Sequence, residues 1–287
     1  MIFIAGASGG LGRYIYDYKK NICFFTENRV GTHFSKPYKD TFRYDFSEDA
    51  KIIEDFAKDI EFVISTISLT DVDRSEMNPR ESYDTTFNSS RNIADVCSRY
   101  DIPLVYISTN DLFDGERGNY TESDLPFPVN QYCLHKYLSE VYIKNICKRY
   151  LILRCSILET YSSFKKEPLI VSIFKNIEND QICNLFCDSF NSPVYLDTIC
   201  DFCLNQDLHD GRIVHLYSER VSKATLGTIA SKVMNKPIKI NSISIDTIDF
   251  KAKRPKDVSL SSIYSIGNRV NIEEEVGKTY KEYLNLK

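Results

Sequence analysis

The chain has 287 residues, 43% hydrophobic and 26% charged, an ordinary globular composition with length for one large domain or two modest ones. No apolar run approaches the roughly 18 residues of a membrane span, and Met1-Ile2-Phe3-Ile4-Ala5 lacks the basic start of a signal peptide, so it reads as a strand. The net charge of −4, with no block of like charge, argues against nucleic acid as the main partner.

Residues 2–5 are followed by a glycine turn and a short helix from about 11 to 18. Residues 21–26 (Asn-Ile-Cys-Phe-Phe-Thr) read as a second strand and 41–45 as a short third one. A helix is expected over 48–59, with Ile52, Ile53 and Phe56 on one side, and a buried strand over 61–68. Residues 88–100 form a helix whose face carries Ile93, Val96, Cys97 and Tyr100. A strand over 103–108, a long helix over 132–147 and a strand over 150–155 complete the regular part. This alternation argues an α/β fold with a doubly wound parallel sheet covered by helices. After about residue 156 the rhythm loosens, although 212–217 could rejoin the sheet. The expected division is a nucleotide-binding domain of 1–156 plus about 190–218, with 157–189 and 219–287 forming a smaller C-terminal lobe.

A strand feeding a glycine-rich turn and then a helix is how dinucleotides are held. Glycines let the backbone approach the pyrophosphate, and the helix N-terminal amides face its charge. Here Gly6, Gly9 and Gly12 follow the first strand at Gly-x-x-Gly-x-x-Gly spacing, with Ser8, Gly10 and Leu11 completing the turn. Glu27, 21 positions after Gly6, stands where an acid grips the adenosine ribose, and Arg29 could instead meet a 2′-phosphate. The sequence leaves NADPH and NADH both open. Asp45 and Phe46 follow the third strand, where the acid could accept from an adenine amino group and the ring pack nearby; a helix N-cap is the alternative for Asp45.

Tyr132 and Lys136 lie four apart and so share a helix face. A free tyrosine, with a pKa near 10, is a poor acid at neutral pH, and a neighbouring ammonium brings it toward the working range. The lysine can also hold the cofactor ribose. Thr109, at the end of the strand ending Ile107-Ser108-Thr109, is the hydroxyl expected to orient a substrate carbonyl, with Ser108 ranked behind it. The bland alternative is an amphipathic helix with Tyr and Lys on its surface.

The nine cysteines, an odd number without secretory context, read as reduced thiols of a cytoplasmic protein. Cys183, Leu185 and Cys187 alternate as one strand face would, and Leu196, Ile199, Cys200 and Cys203 follow a helical stripe, so packing is expected and metal is not. His33, His135, His209 and His215 show no ligand spacing and read as ordinary surface or core histidines.

Taken together, these segments resemble the extended short-chain dehydrogenases, and within them the dTDP-4-dehydrorhamnose reductase-like (RmlD-like) family of sugar-nucleotide reductases. Thr70-Asp71-Val72-Asp73-Arg74-Ser75-Glu76 with Pro79 and Tyr83 resembles that family's stretch after the fourth strand. Ser108 to Gly115 is similar to its Ser-Thr-Asp-Tyr-Val-Phe-x-Gly, Ser192-Pro193 with Tyr195 to its Ser-Pro-Thr, and Arg254 to Leu260 to its late Arg-Pro-x-x-x-x-Leu. The resemblance implies a Rossmann-type sheet with a C-terminal substrate-binding lobe. It implies NADPH- or NADH-dependent reduction of the 4-keto group of a nucleotide-linked deoxysugar, in nucleotide-sugar and surface polysaccharide biosynthesis. Tyr132 would be the proton donor, Lys136 its tuner and Thr109 the carbonyl anchor. Ser65 and Thr66 would touch the cofactor, and Thr70, Asn110, Asp111, Ile157 and Arg254 the substrate. A homodimer is compatible with this reading.

Departures point to the sugar. Asn110-Asp111 stands where the family has Asp-Tyr, and Ile157 where it often has Trp. Sugar-nucleotide 4,6-dehydratases need an acid and a base in the places of Asn110 and Asp111, and an amide cannot be the acid. A nucleotide-sugar 4-epimerase shares the triad and stays open. So does a non-catalytic role like that of the methionine adenosyltransferase beta subunit, which resembles these reductases but acts as a partner protein.

Overall fold

Apolar runs without alternation become strands buried on both faces, and this sequence spends three such runs, Ile-Phe-Ile-Ala, Phe-Val-Ile-Ser and Leu-Val-Tyr-Ile, at the centre of one sheet. The computed structural model describes residues 1–18, 29–33 (backbone only), 41–160, 167–264 and 269–286. Its first half runs β1 (Ile2–Ala5), α1 (Gly10–Asp17), β2 (Arg29–His33), β3 (Phe42–Arg43), α2 (Lys51–Asp55) and β4 (Phe62–Ser65). Then come α3 (Val72–Met77), α4 (Pro79–Ser82), a π-helical turn (Tyr83–Asn88), α5 (Ser89–Arg99), β5 (Leu104–Ile107), α6 (Gln131–Ile146) and β6 (Tyr150–Arg154). The second half holds β7 (Ser156–Leu158), α7 (Leu169–Glu178), β8 (Ile182–Phe186), β9 (Phe190–Asn191), β10 (Pro193–Tyr195), α8 (Leu196–Leu204) and β11 (Arg212–His215). It ends with β12 (Val221–Ser222), α9 (Lys223–Met234), β13 (Lys239–Ile243) and α10 (Ile272–Asn285).

Among the described residues the main sheet has seven strands in the order β11-β6-β5-β4-β1-β2-β3. The pairs from β3 across to β6 are parallel, with Ile4 opposite both Ile64 and Gly31. The order reverses at β1, whose neighbours are β2 and β4. In open α/β sheets, the carboxyl ends of the strands flanking such a reversal are where ligands bind. This is a Rossmann-type α/β architecture.

The elements expected from the sequence are present with shifted bounds. Residues 21–26 and Glu27 lie outside the described residues, and the strand paired with β1 is β2, at Arg29–His33. The helix expected over 48–59 is shortened to Lys51–Asp55: a turn capped by Asp45 occupies its start, and Phe56 at its end takes a non-helical φ/ψ of −110° and 4°. The strand expected over 61–68 stops at Ser65 because Thr66 turns its side chain onto the glycine loop. The 212–217 stretch does rejoin the sheet, as β11 at its edge.

The chain divides into two compact units, Met1–Thr109 with Pro128–Arg154 and Cys200–Val214, and Asn110–Phe127 with Cys155–Ile199 and His215–Lys287. The sequence-based division placed 110–127 in the first. That segment instead folds with the C-terminal residues of the second unit. Tyr120 forms a parallel bridge with Leu260, its N–H donates to Ser259 O at 2.9 Å, and its ring stacks on Phe113 at 4.2 Å. Gly115 has φ +81°, and a Cβ there would lie 2.6 Å from the Lys256 nitrogen. The two sequence segments Ser108–Gly115 and Arg254–Leu260 are thus folded against each other in their later parts.

The first unit's core gathers Phe3, Val63, Ile93, Leu104 and Tyr106, with Ile53 of α2 and Ile143 of α6. The second unit, which showed little period in the sequence, builds its own core from α7, β8, α9 and α10. Cys183 and Leu185 point inward from β8, Cys187 is exposed, and Leu196, Ile199, Cys200 and Cys203 are buried along α8. Glu275 is buried too. Its carboxylate accepts from the Tyr195 N–H at 2.8 Å, the Thr198 hydroxyl at 2.9 Å and Lys278 at 2.8 Å, which ties α10 to β10 and α8. Phe174 is fully buried between Tyr280 and Tyr283, with ring centroids 5.1 and 5.3 Å away. Phe174→Ala should therefore destabilise the protein by about 3–5 kcal/mol, read as a lowered midpoint in urea unfolding followed by circular dichroism.

Candidate active site

The glycine turn sits at the carboxyl end of β1. Gly6 has φ +89°, a conformation that L side chains rarely adopt. Gly12 is required for space, since a Cβ there would lie 2.2 Å from Gly6 O and 2.7 Å from Thr66 Oγ1. Gly9 N–H donates to Gly6 O at 3.0 Å and Gly9 is the N-cap of α1, where no side chain caps the first amides. Those amides and a close backbone fit a pyrophosphate. Ser8 and Gly10 are half-buried at the turn, and Leu11 packs into the core.

Thr66 braces this turn. Its hydroxyl donates toward Ala5 O (3.1 Å) and Gly6 O (3.2 Å), and its N–H donates to Ala5 O at 3.0 Å. The side chain expected to touch a cofactor is thus engaged in shaping the loop that would. Beside it, Ser65 Oγ and Ser68 Oγ are buried with no hydrogen-bond partner among the described residues. Ser68 was not singled out in the sequence; its place just beyond an apolar strand was the one available signal.

Asp45 Oδ1 accepts from Ser47 N–H at 2.9 Å and from Ser47 Oγ at 2.6 Å, so the carboxylate caps a turn. Phe46 departs from expectation. Its ring is 2% exposed and packs edge-on against Phe3 at 6.4 Å, as part of the apolar core. Glu27 lies outside the described residues, and of Arg29 only the backbone is described.

The catalytic candidates converge at the end of β5. Asn130 caps α6, its Oδ1 accepting from Cys133 N–H at 2.9 Å, which fixes where the helix starts and so the facing of Tyr132 and Lys136. Tyr132 is 9% exposed and Lys136 only 2%. The Lys136 ammonium donates to Ile107 O at 2.5 Å and lies 4.2 Å from the centre of the Tyr106 ring. A surface Tyr and Lys on an amphipathic helix would not look like this. Thr109 follows on the same strand end and is buried. Its neighbour Ser108 is occupied: its hydroxyl donates to Glu140 Oε1 at 2.5 Å. Glu140 in turn is held by Arg154, with Nη2 to Oε2 at 2.6 Å and Nε to the two oxygens at 3.1 and 3.2 Å. Both members of this ion pair are buried. Sequence reasoning missed it, although Glu140 continues the four-residue spacing of Tyr132 and Lys136.

His135 faces away from that strand end, as expected. It is buried, its Nδ1 lies 2.8 Å from Ser82 Oγ, and its ring meets Tyr83 edge-on at 5.6 Å. Burial holds its pKa below the ordinary 6.5, against a smaller opposing pull from Glu76.

Of the expected substrate residues, Thr70 is exposed beyond β4 in the first unit. Asn110 departs from expectation: it is buried, and its amide nitrogen donates to Asn191 Oδ1 (2.5 Å) and Val258 O (3.1 Å), which spends both amide protons on the fold. Burial pushes the Asp111 carboxyl up, while Lys223 and Arg254 pull it back down. Arg254 lies 5.1 Å from the centre of the Phe250 ring and lines a cavity of about 690 Å³ within the second unit, with Arg117, Phe190, Arg220 and Lys256. Ile157 lines a smaller one of about 160 Å³, with Glu159, Asn191 and Lys223. Among the described residues no group of three or more His, Cys, Asp or Glu is placed to hold a metal ion, and no helix is long and apolar enough to cross a membrane.

A family model described as the RmlD substrate binding domain matches residues 1–280. The chain belongs to this family. It is 30% identical over 161 residues to the probable low-salt glycan biosynthesis reductase Agl14 of Haloferax volcanii, a match covering 54% of this chain and 52% of that one. The chain thus spans about half the length of that relative. It is 26% identical over 225 residues to the dTDP-4-dehydrorhamnose reductase of Sinorhizobium fredii, covering 74% of each. It is 22% identical over 270 residues to the methionine adenosyltransferase 2 subunit beta of Rattus norvegicus, covering 90% of this chain and 79% of that one. Its fold is shared by a dTDP-4-dehydrorhamnose reductase of Bacillus anthracis solved in complex with NADP, with a TM-score of 0.82 and 20% identity over 98% of both chains.

Two expectations follow. Gly12→Ala should weaken nicotinamide dinucleotide binding, read by titration calorimetry, by on the order of tenfold or more, as about 1.4 kcal/mol per decade suffices to do. The depressed His135 pKa means that the unfolded state takes up its proton first as pH falls. Its contribution to stability is complete above the unfolded value of about 6.5 and is lost as pH drops through the folded value. Unfolding free energies measured from pH 7.5 down to 5.5 should fall less steeply in His135→Gln than in the native protein.

Proposed function

We propose that this chain is an NADPH- or NADH-dependent reductase of the 4-keto group of a nucleotide-linked deoxysugar. Such a reaction belongs to cytoplasmic nucleotide-sugar supply for polysaccharide synthesis. The observation that carries the reading is the burial of the Lys136 ammonium one helical turn from Tyr132, at the strand end that presents Thr109. Taking an ammonium out of water costs several kcal/mol; a binding module could use it to hold a ribose, but has no need of the tyrosine acid beside it.

A nicotinamide dinucleotide bound at the Gly6–Gly12 turn would supply the hydride. The α1 amides would face its pyrophosphate, and the Lys136 protons not spent on Ile107 O would reach its ribose. Tyr132 gives its phenolic proton to the keto oxygen as negative charge develops there. Lys136 stabilises the phenolate left behind, which brings the acid into the working range. Thr109 donates a hydrogen bond to the same oxygen and fixes its orientation. Asp111, Ile157, Arg254 and Thr70 are the side chains we assign to the sugar nucleotide; Asn110 we assign to the support of its loop. The reductases among the relatives support this reading. The likeness to the methionine adenosyltransferase subunit supports a second one, a dinucleotide-binding partner protein, which would not require an intact Thr109 and Tyr132.

A panel of nucleotide-linked 4-keto-6-deoxysugars, followed at the nicotinamide absorbance with each cofactor, tests the proposal. Turnover of at least one substrate is expected, and cofactor binding without any turnover would favour the partner-protein reading. Tyr132→Phe should lower kcat by about 10²-fold or more with cofactor affinity nearly intact, whereas Lys136→Ala should lose both.

A further inference from the structure

The buried pair behind the tyrosine acid has no part in the chemistry just described. Glu140 lies one turn beyond Lys136 on α6, and the two side chains grip consecutive residues of the same strand end: Lys136 binds Ile107 O and Glu140 binds Ser108 Oγ. Arg154, the last residue of β6, closes on Glu140 with three contacts of 2.6–3.2 Å. The pair is nearly inaccessible, at 3% and 2% exposure. Buried ion pairs seldom add net stability over apolar residues of the same volume, so their retention points to another role.

We propose that Glu140 and Arg154 are positioning residues for the acid. They hold Ser108, and with it Thr109, against α6, and they do so as an internally neutral unit, so that they add little net charge to the field that Lys136 sets at Tyr132. A lone carboxylate here would oppose Lys136, and a lone guanidinium would add to it. Other ionisable groups face α6 as well. Glu76 on α3 accepts from the Gln131 N–H, Asp84 of the π-turn pairs with Arg80, and Asp95 on α5 accepts from Tyr142. His135 is buried against Ser82 and held toward its neutral form.

The proposal rests on Tyr132 being the acid, and its test keeps the two apart. The pH profile of kcat/KM for ketone reduction should fall at high pH as Tyr132 loses its proton, and Tyr132→Phe should abolish the activity from which this limb is read. If Tyr132→Phe turns over normally, the assignment of the acid fails first. Given the limb, Glu140→Gln leaves the guanidinium uncompensated and should move it to lower pH by about half a unit to one unit, the size of a charge effect across roughly 12–24 Å at an effective dielectric near 20, two helical turns being about 12 Å. Removing both charges in Glu140→Gln/Arg154→Met should return the limb to its native position. A merely structural pair predicts the opposite pattern: an unmoved limb in the single variant and a larger loss of kcat in the double. That pattern would overturn the proposal. Should Glu140→Gln not fold, Arg154→Gln leaves the carboxylate uncompensated and must move the limb upward; an unmoved limb there overturns it equally.

Discussion

A lysine ammonium removed from water is the constraint around which the first unit is arranged. One hydrogen bond to a charged group contributes about 1.5–3 kcal/mol, and a desolvated cation over an aromatic face about 2. Against a desolvation penalty of several kcal/mol, the Ile107 carbonyl and the Tyr106 ring offset an amount of the same order, provided both stay beside Lys136. The fold keeps them there. Helix α6 is capped at Asn130 and pinned at its far end by Ile143 in the core, and β5 is apolar throughout. Both elements are fixed by contacts that do not involve Lys136. A strained electrostatic arrangement of this sort is what functional sites hold and what packing alone would remove.

The same logic runs through the glycine turn. Three polypeptide segments meet within van der Waals limits at Gly6, Gly12 and Thr66, and each tolerates the others only because two of them lack a Cβ. Thr66 then couples β4 to β1 at the point where strand order reverses. The cradle and the reversal are therefore one feature: the sheet topology opens the crevice, and the missing side chains let a ligand backbone approach it.

What could be read from the sequence was what depends on neighbours in sequence. Strands β1, β4 and β5 announced themselves as unbroken apolar runs, α5 by its period, and the glycines and the Tyr132–Lys136 pair by spacing. What could not be read depends on partners far along the chain. Phe46 looked like an adenine neighbour because it follows an acid after a strand. It belongs to the core because Phe3, 43 residues earlier, leaves a space that an aromatic edge fills. Ser108 and Thr109 were near-equivalent as letters, and the difference between them is Glu140, 32 residues beyond Ser108. The second unit was illegible for a related reason. Among the described residues its strands β9, β10 and β12 are only two or three residues long, and Asn110–Phe127 finds its place only by pairing with residues near 260.

The departures from the family pattern sort themselves on this basis. With both amide protons spent on Asn191 Oδ1 and Val258 O, Asn110 faces two acceptors. An aspartate, the family's residue at this place, would set a carboxylate against that carbonyl, an acceptor against an acceptor in a buried setting, at a penalty of a few kcal/mol. The amide at 110 and the path of the chain at 191 and 258 are therefore a matched set, and this difference belongs to how the loop is held. Asp111 is otherwise. Its carboxyl is pushed up by burial and pulled down by Lys223 and Arg254, and those three residues come from two separate stretches of the second unit. Lys223 also shares the smaller cavity with Ile157, where an aliphatic side chain stands in place of an aromatic one. A change of shape at Ile157, which lines a cavity, and a change of charge at Asp111, coupled to cavity-lining Lys223 and Arg254, bear on which ligand is accepted, whereas the amide protons of Asn110 are taken up by the protein itself.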